Sequence, residues 1–215
     1  MKIAILLSLV NVGVKAFAPQ VPFVRNGSSI QSSKTKCHSS ISTSGMWNAG
    51  LSYGKGQFRF YKNFEEWIAP FPEEDRKEFP EIFTFPEGVF EVSLKSPLGI
   101  VFEEIEIGKG VYVTDLVEGG NAERYNRQAG DNAIKPGDIL VGISAVKVIG
   151  AKWERRVIPA LNFDFDTVVG AIMSNEEKWG CSDTVLHIKR PDADDEVVSK
   201  FYEFFEPPSD SVWRL

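Results

Sequence analysis

The sequence predicts an α+β domain, a small, partly open β-barrel or sandwich of about six short strands with two helices. Two patterns support this prediction. Between residues 90 and 190, short segments with period-two alternation are separated by glycines, and two other segments have helical spacing. Composition agrees, because 43% hydrophobic and 25% charged residues are typical of a globular protein. A length of 215 residues suits one such domain with appendages.

Five segments alternate in polarity or are rich in β-branched residues, as strands are. They are residues 90–94, 100–105, 111–114, 138–143 and 184–188. Turn signals precede two of them. Gly108-Lys109-Gly110 stands before the third segment and Lys135-Pro136-Gly137 before the fourth. Strands of this length with turns between them predict a small barrel or sandwich.

Two segments predict helices. The first, residues 122–127, is short. In the second, apolar residues recur at i, i+3, i+4 and i+7 behind Asp164, which suits an N-cap; they are Phe165, Val168, Val169 and Ile172. This spacing places the four side chains on one face of the helix, and we expect Val168 to belong to the core.

Charge is distributed unevenly along the chain, whose net charge is −6. Residues 1–64 contain eight Lys or Arg and no Asp or Glu, whereas the remaining 151 residues contain 16 basic and 30 acidic ones. Nucleic-acid binding requires clustered cations, so the acidic body argues against nucleic acid as a partner. Two cysteines and two histidines exclude a disulfide scaffold and a multi-cysteine zinc site, and no metal or cofactor is predicted.

The basic N-terminal segment has the composition of a targeting sequence. Residues 1–16 contain an apolar run of 12 residues and a cleavage pattern, as in a signal peptide, although a buried strand is the alternative. Residues 17–45 are serine-rich and lack acids, as in a transit peptide. With Phe17 directly after the cut, the pair resembles the two-part presequence of algae with secondary plastids. The resemblance implies a plastid protein, with the stroma favoured over the thylakoid lumen, and removal of Cys37 and His38.

Residues 46–87 form an extension rich in aromatic residues and proline. The prolines exclude a long helix or a central strand, although residues 63–68 could form one or two helical turns. Two interpretations stay open. Either the extension packs its rings onto the neighbouring domain, or exposed aromatic residues in it anchor a partner protein.

Three motifs carry the functional prediction. Pro97-Leu98-Gly99-Ile100 joins the first strand to the second, Gly119-Gly120-Asn121-Ala122 follows the third, and Pro136-Gly137-Asp138-Ile139-Leu140 introduces the fourth. In this order, and with the longer helix after them, residues 88–191 resemble a PDZ domain. The resemblance implies a non-catalytic adaptor that binds the C-termini of other proteins.

The PDZ resemblance implies a binding site whose chemistry can be stated. A terminal carboxylate must be hydrogen-bonded as it loses water, and successive N–H groups on a turn form a concave anion site. Gly99 is assigned the close approach to the carboxylate, because it lacks a Cβ. The amides of Leu98, Gly99 and Ile100 are the expected donors, with Lys95 as a nearby positive charge. Residues 100–104 are expected to be an edge strand that a ligand strand completes by β-strand addition.

The resemblance assigns side-chain selection to the helix across the groove. The predicted peptide-binding residues are Lys95, Leu98, Gly99, Ile100, Phe102, Phe165, Val169 and Ile172. Four of them wall an apolar pocket for the last ligand residue: Leu98, Ile100, Val169 and Ile172. Phe165 aligns with the first helix position, where a histidine favours Ser or Thr in the family. A phenyl ring cannot accept a hydroxyl proton, so the predicted ligand is Φ-x-Φ-COOH, with Φ an apolar residue. The alternative places Phe165 on the core face of the helix.

The sequence departs from the family at three places. Pro97 replaces the usual first glycine, Ser144-Ala145 replaces a usual Asn-Gly turn, and residues 146–162 form a longer connection that contains Trp153. These features resemble plastid PDZ proteins linked to the assembly and maintenance of thylakoid photosynthetic complexes. The resemblance therefore implies a thylakoid membrane protein complex as a partner.

Residues 192–215 form an acidic and aromatic tail, which its charge run predicts to be a solvated linker. The last three residues, Trp213, Arg214 and Leu215, themselves have the form Φ-x-Φ. Self-association through Trp213–Leu215, in the groove of the same chain or of a second copy, is a further hypothesis.

Two other functions compete with the adaptor. An enzyme such as a protease needs a histidine beside a nucleophile, but His187 falls in the middle of the last strand and Cys181 lacks the surrounding signals. We therefore expect a non-catalytic protein. The second competitor is a structural subunit of a thylakoid complex, held by residues 46–89 with the groove unused.

Overall fold

A computed structural model describes residues 63–69, 71–149, 152–207, 211 and 213 of the chain. The predicted signal peptide, the predicted transit peptide and the extension before residue 63 lie outside the described residues. The described part contains six strands and six α-helices, so the predicted α+β class is confirmed with more helices than the two expected.

The six strands belong to one open antiparallel sheet. They are β1 (Val89–Leu94), β2 (Ile100–Glu104), β3 (Val111–Leu116), β4 (Ile139–Ile149), β5 (Lys152–Pro159) and β6 (Thr184–Lys189). Their order across the sheet is β1-β6-β4-β3-β2, and β5 pairs with β4 outside this path. The five segments predicted as strands are therefore confirmed, and β2 lies at one end of the order.

The second half of β4 and all of β5 form a long hairpin that the sequence did not predict. Its register begins with Gly142 opposite Pro159. Ser144 and Ala145 are buried inside β4, so the prediction of a hairpin turn at these residues is wrong. The interpretation of residues 146–162 as a connection is also wrong, because most of them belong to the two strands.

Buried polar side chains hold this hairpin to the rest of the domain. The Arg155 side chain is fully buried, and its guanidinium donates to Ser144 Oγ (3.2 Å) and to the Asp183 carbonyl (2.7 Å). Its Nε also donates to Asn175 Oδ1 (3.0 Å). A buried charge is tolerated only where such bonds replace water. The bonds stabilise a strand in a polar segment whose sequence suggests a loop. Because the partners are distant in sequence, no local pattern predicts this strand.

Three short helices precede the sheet, and three longer ones lie within or after it. They are α1 (Phe64–Ile68), α2 (Glu73–Glu78), α3 (Pro80–Phe83), α4 (Asn121–Ala129), α5 (Phe165–Ser174) and α6 (Asp195–Glu203). The two predicted helices correspond to α4 and α5. The predicted N-cap of α5 is confirmed, since the Asp164 side chain accepts the Thr167 N–H at 2.8 Å. Within the described ranges, no helix is long and apolar enough to cross a membrane.

The main core joins the sheet to α4 and α5. Its fully buried members include Val113, Leu140 and Leu186 from the sheet, Ala122 from α4 and Val168 from α5. The prediction that Val168 belongs to the core is therefore confirmed. This packing fixes α5 relative to the strands, which matters for the site described below.

A second buried cluster joins the extension and α6 to the opposite face of the sheet. Val185 belongs to this cluster and Leu186 to the main core; consecutive side chains of a strand point to opposite faces. Phe64 and Phe83 from the extension pack here with Phe201 from α6. For the described rings of the extension, the interpretation that they pack onto the neighbouring domain is confirmed.

The interpretation of the tail as a solvated linker is wrong for its first part. Helix α6 occupies it and buries Val198, Phe201 and Tyr202 in the second cluster. These three residues recur at i, i+3 and i+4, which is the spacing of a packed helix face, while the acids between residues 192 and 196 are exposed. The charge run therefore marks the outer face of a helix start rather than a linker.

Candidate functional site

The predicted anion-binding turn lies between β1 and β2, against the start of α4. Gly99 has a φ of +74°, a left-handed conformation that favours glycine. A Cβ at this position would stand 3.0 Å from the backbone N of Asn121 and 3.0 Å from the Cα of Gly120. Position 99 therefore suits glycine both for its backbone conformation and for its close approach to α4.

Asn121, the first residue of α4, holds the first part of the turn. Its side-chain amide donates to the carbonyls of Lys95 (3.0 Å) and Pro97 (2.9 Å). A trans peptide plane carries the C=O of one residue and the N–H of the next on opposite sides. The bond to Pro97 therefore turns the N–H of Leu98 away from α4. The sequence motif contained Asn121 without a role for it, and the available signal was a short amide side chain at a helix start.

The same rule orients the next two N–H groups. The Leu98 carbonyl accepts the Ala122 N–H (2.8 Å), and the Gly99 carbonyl accepts the Val117 N–H (2.9 Å). The N–H of Gly99 therefore points away from α4, and that of Ile100 points away from the end of β3. The three predicted donors all face away from the groups that hold the turn, as binding of an incoming carboxylate requires.

Strand β2 has a free edge beyond the turn. In the described part of the chain it pairs only with β3. Alternate residues of an antiparallel strand turn their N–H and C=O groups away from the partner strand. Gly99 is hydrogen-bonded to Val117, so the backbone of Gly99 faces β3. The next residue, Ile100, stands opposite Leu116, and its N–H and C=O groups therefore point outward.

A register shift between Val101 and Phe102 preserves this outward series. Beyond the shift, the Ile105 N–H donates to the Gly110 carbonyl at 3.0 Å, so residue 105 faces β3. Alternation then turns the N–H and C=O groups of Phe102 and Glu104 outward. The free edge therefore offers three residues for pairing: Ile100, Phe102 and Glu104.

Helix α5 contacts β2 and forms the other wall of the site. At its start, the Phe165 N–H donates to Glu104 Oε1 at the end of β2 (2.7 Å). At its other end, Ser174 Oγ accepts the Val146 N–H of β4 (2.8 Å). These attachments hold α5 beside the free edge. Sequence reasoning missed Glu104, because its partner lies 61 residues away and no local pattern announces the bond.

The apolar residues predicted for the site lie on the turn, on β2 and on α5, and the last two elements contact each other. Leu98 is buried, whereas five others are half-buried: Ile100, Phe102, Phe165, Val169 and Ile172. We call the space that these six residues bound the β2–α5 groove. Phe165 packs against the main core and is also partly exposed, and its assignment to the groove stays a prediction. Lys95 is exposed on the turn.

His187 packs against the rings of Phe64 and Phe85 at the second cluster and not in the groove. Its Nδ1 stands 2.9 Å from Tyr202 Oη, and its Nε2 stands 3.1 Å from Glu91 Oε2. Glu91 Oε2 also accepts the Phe64 N–H (2.7 Å), which ties the extension to this network. Burial, with a smaller contribution from Glu91, raises the pKa of Tyr202 well above its ordinary value. The prediction that His187 falls in the middle of the last strand is confirmed, and its side chain is buried.

The other candidates for chemistry also lie outside the groove. Cys181 is a free, buried cysteine, and burial raises the pKa of its thiol, which disfavours the reactive thiolate.

Trp213 is buried with the main core, and its indole N–H donates to Glu154 Oε2 on β5 (3.2 Å). Leu215 lies outside the described residues, so self-association stays a prediction. Among the residues that the structure describes, no group of His, Cys, Asp and Glu could hold a metal ion.

Comparison with known proteins does not assign the chain to a family. No family model matches the sequence, and no curated protein matches it. Its function is therefore inferred from the turn, the free strand edge and the helix that bound the groove.

Proposed function

We propose that this chain is a non-catalytic adaptor that binds the C-terminal segment of a partner protein by adding it as a strand beside β2. One observation carries the proposal: the free edge of β2 begins at a turn whose N–H groups point away from the donors that hold its carbonyls. An extended segment ending at this turn pairs with the outward groups of β2, while its carboxylate accepts from residues 98–100. PDZ domains, which the motifs resemble, bind peptides in this way.

The β2–α5 groove adds apolar contacts to this backbone pairing. Alternate residues of a strand point to the same side, so the last and third-last ligand residues both face the groove. Leu98, Ile100, Val169 and Ile172 are assigned to the last ligand residue, and Phe102 and Phe165 to the third-last. Burying one side chain of the size of Val or Leu contributes about 1.5–3 kcal/mol. Two such side chains support a ligand of the form Φ-x-Φ-COOH.

The compartment and the biological role rest on resemblance. Residues 1–45 resemble a two-part plastid presequence, and the motifs resemble plastid PDZ proteins linked to photosynthetic complexes. We therefore include in the proposal a location in the plastid stroma and a role in assembling or maintaining a thylakoid membrane protein complex. A C-terminus of one of its subunits is the proposed ligand.

Amidation of the peptide tests the carboxylate directly. Fluorescence polarisation measures binding of the full chain to labelled peptides that end in Phe-Ser-Val, Phe-Ser-Leu or Phe-Ser-Ile, each as the free acid and as the C-terminal amide. We expect the free acids to bind and amidation to weaken binding by about tenfold or more, because charge-assisted hydrogen bonds are lost. Equal binding of acid and amide would contradict the proposal.

A variant of the turn supplies the second test. Gly99→Glu strains the left-handed backbone of residue 99 and crowds the start of α4, 3.0 Å from the position of its Cβ, so the turn is displaced and peptide binding should be lost. Gly180→Glu is the matched control, because Gly180 has a similar φ of +76° but open space around the position of a Cβ. In a pull-down from plastid extract, partners lost with Gly99→Glu and retained with Gly180→Glu are ligands of the groove.

The structural subunit remains the alternative function. It requires aromatic residues of the extension that are free to hold a complex, but Phe64 and Phe83 are buried in the second cluster, and Phe85 packs against it. Within the described part of the extension, this packing favours the adaptor. Peptide binding that is insensitive to amidation, together with recovery of a complex by the Gly99→Glu variant, would favour the structural subunit.

A further inference from the structure

The end of the β2–α5 groove opposite the turn is acidic. Three acidic residues lie there, Glu104 at the end of β2, the N-cap Asp164, and Asp166 in the first turn of α5. The Phe165 N–H donates to Glu104 Oε1 (2.7 Å), so the chain neighbours of Phe165, Asp164 and Asp166, stand near the Glu104 carboxylate. The Asp164 carboxylate itself caps the helix by accepting the Thr167 N–H. We call these three residues the acidic end.

In the part of the chain that the structure describes, no cation is paired with these carboxylates. Neither β2 nor α5 contains a Lys or Arg. Among the ion pairs of the described residues, none includes a member of the acidic end. Lys109 in the nearby β2–β3 turn is paired with Glu106 at 2.5 Å. Asp164 and Asp166 are exposed and Glu104 is half-buried, so a ligand can reach all three.

The direction of β2 determines which ligand residue reaches the acidic end. A ligand whose carboxylate lies at the turn before Ile100 must run antiparallel to β2, with its earlier residues toward Glu104. Pairing advances one residue at about 3.4 Å per step. The last, third-last and fifth-last residues then lie beside Ile100, Phe102 and Glu104 and point to the groove side. The fourth-last residue points the opposite way.

We propose that the groove selects a Lys or Arg at the fifth position from the end of its ligand, in the pattern (Lys/Arg)-x-Φ-x-Φ-COOH. This proposal rests on the adaptor function proposed above and names the partner's chemistry. The side chain of a fifth-last Lys or Arg extends along the groove to the carboxylates of Glu104 and Asp166. Selection by the acidic end therefore depends on position and not on the net charge of the peptide.

Two peptide isomers isolate the position of the charge. Lys-Ser-Phe-Ser-Val-COOH and Ser-Lys-Phe-Ser-Val-COOH have the same composition and net charge, and only the first places Lys fifth from the end. We expect the full chain to bind the first about fivefold tighter at about 50 mM salt, and the ratio to fall toward one at about 300 mM salt. Glu104→Gln keeps an oxygen that can accept the Phe165 N–H and removes the charge. This variant and Asp166→Asn should each reduce the ratio, whereas the exposed Glu177→Gln should not.

The outcomes separate this proposal from the adaptor function. Equal binding of the two isomers, with binding still lost on amidation, overturns the selection of a fifth-last base and leaves the adaptor intact. An unchanged ratio in Glu104→Gln and Asp166→Asn assigns the selection to other residues and also overturns it. Binding of the first isomer that survives amidation overturns the adaptor function together with this proposal.

Discussion

The side-chain amide of Asn121 lies 2.9 Å from the carbonyl of Pro97, and through this bond helix α4 holds the turn that precedes β2. The same side chain also binds the Lys95 carbonyl, at 3.0 Å. With both carbonyls directed to α4, the N–H groups that follow are directed away from it. One side chain therefore orients the first donor that the proposed ligand carboxylate uses.

Replacing Asn121 with alanine tests this orientation. The variant loses both bonds to the turn, so affinity for a Phe-Ser-Val peptide should fall about tenfold, as measured by fluorescence polarisation. The free energy of unfolding in urea should fall by about 1–2 kcal/mol. Asn126→Ala is the control, because Asn126 lies in the same helix and makes two bonds to the Ile134 backbone at 2.7 and 2.8 Å. Equal losses of affinity in both variants would refute a special role for Asn121.

Phe165→His tests which ligand residue α5 selects. A neutral imidazole nitrogen accepts a hydroxyl proton, which a phenyl ring cannot, so peptides with Thr third from the end should gain about tenfold relative to those with Phe. The backbone bond from residue 165 to Glu104 is kept. The measurement is the affinity ratio for Thr-Ser-Val and Phe-Ser-Val peptides, and Phe163→His, at a half-buried ring before the helix, is the control. An unchanged ratio would assign Phe165 to the core face alone.

The buried Tyr202 should make the free energy of unfolding fall at alkaline pH. Burial and the Glu91 carboxylate raise the pKa of Tyr202 in the folded protein, while the pKa of an unfolded tyrosine is about 10. Below that pH both states hold the proton, and the group does not change the free energy of unfolding. Above it only the unfolded state releases the proton, so stability falls by up to about 1.4 kcal/mol per pH unit.

Urea unfolding between about pH 8.5 and 11 checks this prediction. The slope of the free energy of unfolding against pH reports the proton that Tyr202 retains in the folded state. Tyr202→Phe should unfold more easily at neutral pH, because it loses the bond to His187 Nδ1, yet it should show a smaller alkaline fall. Tyr112→Phe changes a tyrosine that bonds the exposed Glu103 instead, and it should keep most of the fall. Identical alkaline slopes in wild type and Tyr202→Phe would contradict the assignment.

The extension should stabilise the domain without contributing to peptide binding. Phe64→Ala removes a ring that packs against Phe85, Phe201 and Phe205, so the free energy of unfolding should fall by about 3–4 kcal/mol. Peptide affinity, measured where the variant remains folded, should stay the same because the second cluster lies on the other face of the sheet. Phe64→Leu is the milder variant if alanine prevents folding. A fall in affinity in folded Phe64→Leu would couple the extension to the groove.

Much of the fold could be predicted because its signals are local. Period-two alternation predicts the strand that contains Val113, and Asp164 with the apolar spacing after it predicts α5 and its cap. The long hairpin could not be predicted in this way. Its centre carries Arg155, a residue typical of loops, and the bonds that bury this residue come from positions up to 28 residues away.

In the candidate site, too, local features could be predicted from the sequence and bonds between distant residues could not. Gly99 could be named from its motif, because a tight turn before a strand requires a residue without a Cβ. The attachments of Asn121 to the turn and of Glu104 to Phe165 could not, since they join positions 24 and 61 residues apart. The tail was predicted wrongly for the same reason. Its charge run is a local signal that suggests a linker, whereas the surface that buries Val198 and Phe201 comes from distant parts of the chain.

By itself, the sequence determined five of the six strands, helices α4 and α5, and the glycine of the turn, because these depend on neighbours within a few positions. Only the tertiary structure decided that β2 lies at one end of the described sheet, that α5 lies beside it, and that the N–H groups of the turn point outward. Each of these depends on hydrogen bonds and buried contacts between segments far apart in the chain, and such contacts form only after the chain has folded back on itself.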